Sequence, residues 1–121
     1  MDEFKVAVSY EGNDNEIVIV QPRGYIDSTT YTDLEKVVLE QLSQNRYKII
    51  VHLDECEYVN SSGWGVFIRE IKEIRKNEGD LVLVNMHPDV YMVYETMEFS
   101  KILKSFESLQ EGISYFCSAP Y

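Results

Sequence analysis

With 121 residues, 45% of them hydrophobic and 26% charged, the chain can bury one core but not two, so a single globular domain over residues 1–121 is expected. A formal net charge of −10 repels phosphate backbones and anionic lipid, which argues against direct nucleic-acid or membrane binding. No apolar run approaches the roughly 20 residues of a membrane span, the Met1-Asp2-Glu3 start is not basic like a signal peptide, and Cys56 and Cys117 form no metal-binding cluster, so a cytoplasmic protein without metal or cofactor is expected.

Phe4, Val6, Val8 and Tyr10 alternate with polar or small residues and predict a strand. The turn Glu11-Gly12-Asn13-Asp14-Asn15 and a second strand from Ile17 to Val20, ended by Pro22 and Gly24, complete a hairpin. Tyr31, Leu34, Val37, Val38 and Leu42 then mark a helix, with Asp27 or Ser28 as its cap. Ile49 to Leu53 is apolar throughout and reads as a central strand. Asp54 to Tyr58 is a polar, acidic connection.

Trp64, Phe67, Ile68, Ile71 and Ile74 fall at i, i+3, i+4, i+7 and i+10, one face of a helix that stops at Asn77-Glu78-Gly79-Asp80. Leu81 to Val84 is another buried strand. Pro88 opens a further helix, with Val90, Val93, Tyr94 and Met97 on its inner face. Ile102 and Leu103 suit a short edge strand, Glu107 to Phe116 a last helix, and 117–121 a loose tail. This order predicts an α/β fold: a mixed four- to five-stranded sheet, mostly parallel after the N-terminal hairpin strand, with about four helices packed against it.

Several chemistries fail on their residues. Gly-x-Ser-x-Gly is not matched at Ser61 or Ser62, and neither His52 nor His87 is paired with a serine and a carboxylate. Asp54 follows a strand as a phosphoacceptor aspartate would, but the first strand ends Ser9-Tyr10-Glu11 without an acidic pair for a divalent ion. Arg69, Lys72, Arg75 and Lys76 are interleaved with Glu70, Glu73 and Glu78, a solvated face with local ion pairs rather than a nucleic-acid stripe. Tyr10, Tyr31 and Tyr94 fit core faces; Tyr25, Tyr58 and Tyr91 fit the surface. No catalytic residue is assigned and no enzyme is expected.

One stretch stands apart: Val59-Asn60-Ser61-Ser62-Gly63-Trp64-Gly65 places two hydroxyls where a helix begins. Serine there is commonly a cap. The first turn also has N–H groups without intrahelical partners and partial positive charge, so it tolerates a phosphate of about −1.5 to −2 charges. Two glycines in the opening turns cost about 0.5–1 kcal/mol each relative to alanine and indicate close approach, either by a packed neighbouring element or by a visiting protein. Trp64 is an anchor for that contact or, by its helical phase, core.

Gly24-Tyr25-Ile26-Asp27, Leu53, Val59 to Val66 and Leu81 to Asn85 together resemble the STAS domain of anti-sigma factor antagonists across essentially the whole chain. The resemblance implies a non-enzymatic switch in which the dephosphorylated form binds an anti-sigma factor or related serine kinase. That kinase phosphorylates a serine of the block, and a PP2C-type phosphatase restores it. By position the phosphoacceptor is Ser62, with Ser61 the second choice. The partner-binding end comprises Asp27, Ser28, Asn60, Ser61, Gly63, Trp64 and Gly65. The family often has aspartate before the two serines and an Asp-Leu pair ending the preceding strand, where this chain has Asn60 and His52-Leu53. The alternative is a non-switching STAS scaffold or assembly subunit of a larger regulatory or transport complex.

Overall fold

The computed structural model describes residues 3–117; of the expected tail 117–121, Cys117 is the last residue of a helix and 118–121 lie outside the described residues. Six strands and four α-helices follow the order β1 (Lys5–Glu11), β2 (Ile17–Ile26), α1 (Tyr31–Ser43), β3 (Lys48–His52), β4 (Cys56–Val59), α2 (Ser61–Lys76), β5 (Asp80–Val84), α3 (Pro88–Thr96), β6 (Lys104–Phe106) and α4 (Leu109–Cys117). The sheet runs β1-β2-β3-β5-β6, with β4 paired to β2 beside β3. Among the described residues, only the β1–β2 pairing is antiparallel. The mixed α/β architecture expected from the sequence is therefore present, with six strands instead of four or five.

β2 organises the sheet because it changes partners along its length. Its first half pairs with β3 from Ile17↔Lys48 to Val20↔Val51, and its last three residues pair with β4 from Gly24↔Cys56 to Ile26↔Val59. Pro22 and Gly24 do not end the strand, contrary to expectation. Pro22 lies in the interval between the two parallel partners, where that edge carries no ladder and a proline is tolerated, and Gly24 begins the pairing with β4. β4 itself lies in the stretch read as a connection. Cys56 and Val59 point inward while Glu57 and Tyr58 are exposed, so only half of its four residues advertise burial.

The sheet is covered on both faces. Val18, Val20, Ile49, Val51, Leu81 and Leu83 share a core with α1, α2 and α3. Ile17, Ile19, Ile50, Val82 and Val84 form a smaller core under α4. This is why β3 and β5 read as unbroken apolar runs. Each fully buried aliphatic side chain contributes about 1.5–3 kcal/mol.

The helices bury the expected stripes, with Val93 and Met97 of α3 as exceptions. Trp64, Phe67, Ile71 and Ile74 of α2, Leu34 and Val38 of α1, and Val90 and Tyr94 of α3 are buried. Val93 and Met97 are 38% and 59% exposed, because α3 ends within a residue of Met97 and turns its second apolar row to solvent. In β1, Tyr10, expected on a core face, is also exposed, its ring under the Arg46 guanidinium and its hydroxyl donating to Gln41 Oε1 of α1 at 3.4 Å.

Candidate functional site

β2 and β4 end side by side at Ile26 and Val59, and the chain leaves each strand into a polar turn. The Asn60 N–H donates to the Ile26 carbonyl at 2.9 Å, which ties the start of α2 to the residue before Asp27. Asp27–Thr30 and Asn60–Gly65 are thereby brought to one end of the molecule, as the resemblance implies. The resemblance gave no place to Tyr25 and Tyr58, one residue earlier on each strand, which are 56% and 49% exposed with ring centroids 6.0 Å apart. An exposed aromatic pair beside a turn was detectable only once the two strands were known to be neighbours.

The cap of α2 is Asn60, not a serine. Its Oδ1 accepts the Gly63 N–H at 3.1 Å and its carbonyl accepts the Trp64 N–H. Neither serine hydroxyl is used in the cap. Ser61 is exposed and Ser62 half-buried, and the first turn of α2 contains no acidic residue. Asparagine at this position caps a helix about as well as aspartate, without placing a carboxylate beside the hydroxyls.

The two glycines differ. A Cβ on Gly63 would lie 2.6 Å from Ile26 Cγ2 and 2.7 Å from Val59 Cγ1. Gly63 is buried and lets α2 press onto the ends of β2 and β4, so the close approach is by a neighbouring element. A Cβ on Gly65 would meet only the mobile end of Arg69, with Nη1 at 2.9 Å. Trp64 is 2% exposed, stacked on Phe99 at 4.9 Å and edge-on to Phe67, and its Nε1 is buried without a hydrogen-bond partner. Both Gly63 and Trp64 therefore support the site from within the core and are absent from its surface.

Asp27 does not cap α1, whose first turn follows Thr30 without a side-chain cap. Its Oδ1 instead accepts the Thr29 N–H at 2.9 Å, the Thr29 hydroxyl at 2.8 Å and the Thr30 N–H at 3.1 Å. The Thr29 hydroxyl and the other bonds hold its carboxyl below the usual range. Ser28 is exposed at the tip of this turn. His52 Nε2 lies 3.3 Å from Asp54 Oδ1, and exposed Asp54 also accepts from Gln21 Nε2 at 2.7 Å. The cations of α2 do not pair locally as expected. Arg69 binds Glu35 of α1, and Arg75 binds Asp80 of β5.

Among the described residues, no group of three or more His, Cys, Asp or Glu side chains could hold a metal ion, and no helix is long and apolar enough to cross a membrane. Burial pushes the Cys56 thiol up to about 11, where it stays protonated and unreactive at neutral pH.

Sheet order, covered faces and the serine turn together define a STAS domain, and the chain belongs to the STAS domain family, whose model matches residues 8–112. It is 23% identical over 103 residues to the anti-sigma-B factor antagonist of Listeria monocytogenes, covering 84% of this chain and 89% of that one. An anti-sigma factor antagonist from Mycobacterium paratuberculosis superposes with a TM-score of 0.81 at 17% identity, covering 94% and 96% of the two chains. The anti-sigma factor antagonist SpoIIAA, in its unphosphorylated form, gives 0.71 at 18% identity, covering 93% and 100%.

Proposed function

We propose that this chain is a phosphorylation-controlled protein-binding switch of the anti-sigma factor antagonist kind, itself without catalytic activity and acting in the cytoplasm. With Ser62 unphosphorylated, the Asn60–Gly65 turn and the adjoining Asp27–Ser28 turn dock onto an anti-sigma factor or related serine kinase. The kinase forms the Ser62 Oγ–P bond from the γ-phosphoryl of ATP. The bond from that phosphorus to the bridging oxygen breaks, ADP leaves, and the hydroxyl proton passes to a base of the kinase. A PP2C-type phosphatase hydrolyses the ester. The added dianion leaves the fold intact and opposes docking through charge and desolvation.

The observation that carries this reading is the cap. Because Asn60 satisfies the helix start, the two hydroxyls at its first turn remain outside the cap and Ser61 and Ser62 keep solvent access. Relatives named as anti-sigma factor antagonists support the role, and SpoIIAA has been described in a phosphorylated form as well.

Phosphopeptide mass spectrometry of the protein from its native cell tests the reading. One phosphate on Ser62 is expected, retained in Ser61→Ala and lost in Ser62→Ala, with partner capture reduced in Ser62→Glu. A partner complex indifferent to Ser62→Glu would instead mark a constitutive assembly subunit.

A further inference from the structure

The slot above Gly65 holds a guanidinium. Arg69 donates from Nε and Nη2 to Glu35 Oε2 of α1 at 3.1 and 2.8 Å. Neither bond uses Nη1, and Nη1 is the arm that lies where a residue-65 side chain would begin, 2.9 Å from that Cβ position. Helical side chains lean toward the N-terminus. The space above residue 65 therefore adjoins residues 61 and 62, four and three positions back, at Cβ separations of about 5–6 Å. A side chain on residue 65 would block this path, and glycine leaves it open.

We propose that Arg69 is the positioning residue for phosphate on Ser62: it keeps Glu35 on one edge of its fork and binds the phosphate through Nη1 on the other, clamping α1 to the modified start of α2. This rests on the phosphorylation of Ser62 proposed above. The planar fork suits two anions at once, which a lysine point charge does not. The local charges also call for a cation. Glu70 has its carboxyl raised by burial and by Glu35, while Arg69 acts the other way. A dianion held by Nη1 would share the guanidinium with Glu35, and Arg69 is the positive group that offsets this local negative charge. The clamp also explains why Gly65, which no core atom crowds, is a glycine.

The test is a phosphorus NMR titration of the full chain carrying phosphoserine at position 62, installed during translation by suppression of a stop codon. The second ionisation of a free phosphoserine falls near pH 6. The helix start acts equally in all variants, so differences between them isolate the arginine. Arg69→Gln is expected to raise the phosphate pKa by about half a unit or more, in line with loss of a nearby opposite charge. Gly65→Ala is expected to raise it too, because the new methyl evicts Nη1 while suiting the helix, and Arg69→Lys to raise it less than Arg69→Gln.

If the parent and Arg69→Gln titrate alike, the clamp is wrong. No kinase enters the measurement, so the two proposals fail separately. Absence of Ser62 phosphate in the native cell would count against the switch, and identical titration curves would count against Arg69.

Discussion

The two ends of α2 are built on opposite terms. At the C-terminal end, groups able to bond are already engaged. Arg75 donates to Asp80 and to the Ile102 carbonyl, Asp80 accepts the Tyr115 hydroxyl at 2.7 Å, and Asn77 bonds back to Glu73. Gly79 sits so close to Tyr47 that an added Cβ would fall 1.9 Å from its carbonyl oxygen. At the N-terminal end a neutral cap satisfies the backbone, two hydroxyls stand outside it, and the Arg69 guanidinium lies over a glycine. One end fastens α2 to β5 and α4; the other is left with capacity to take a charge. The same helix can therefore stay seated while its first turn changes state.

The fastening end should give the largest effect when broken. Gly79→Ala cannot be relieved by a side-chain shift, since the obstacle is backbone, and about 3 kcal/mol of stability should be lost, at the upper end of overpacking costs. Urea unfolding would measure it; an unchanged midpoint would mean that α2 is not pinned there. Gly63→Ala should cost less, about 1–2 kcal/mol, because Ile26 and Val59 can shift and alanine recovers up to about 1 kcal/mol of helix propensity.

The Asp80–Tyr115 contact sharpens the comparison through pH. Partial burial first, and then the bond donated to Asp80, push the Tyr115 hydroxyl up to about 12 from 10.0. The unfolded tyrosine therefore loses its proton at lower pH than the folded one. Stability from this contact is full below about pH 10 and is lost as pH rises toward 12. Tyr115→Phe should lower stability at neutral pH by about 1 kcal/mol and flatten the alkaline decline. Equal slopes for both proteins between pH 10 and 12 would detach Tyr115 from it.

The contrast also explains which parts of the chain were legible. Elements with deep burial announce themselves: β3 and β5 are apolar on both faces, α2 has a full stripe, and Pro88 opens α3 where expected. β4 was hidden because two of its four residues face solvent and its pairing depends on β2 changing partner, a non-local fact. The serine turn was visible by composition, but the identity of the cap was not, since Asn60, Ser61 and Ser62 are all good cap residues and only the register of α2 decides among them. A glycine just past a helix end is commonly left-handed. That conformation belongs to Glu78 at φ 64°, and Gly79 is there for closeness to Tyr47.

The smallest expected effect concerns the unfastened end and bears most directly on its charge. Asn60→Asp keeps the cap geometry and adds a carboxylate at the positive pole of α2, worth about 0.3–1 kcal/mol of added stability at low salt. In a Ser62→Glu background the new carboxylate would face a second anion within the same turn, so the gain should shrink or change sign. Thermal melts of the parent, both single variants and the double variant close the cycle. A coupling of opposite sign to the single gain, weakened by salt, is expected if asparagine at position 60 keeps the first turn receptive to an added negative charge; simple additivity of the two substitutions would mean that residue 60 and the Ser62 position do not sense each other.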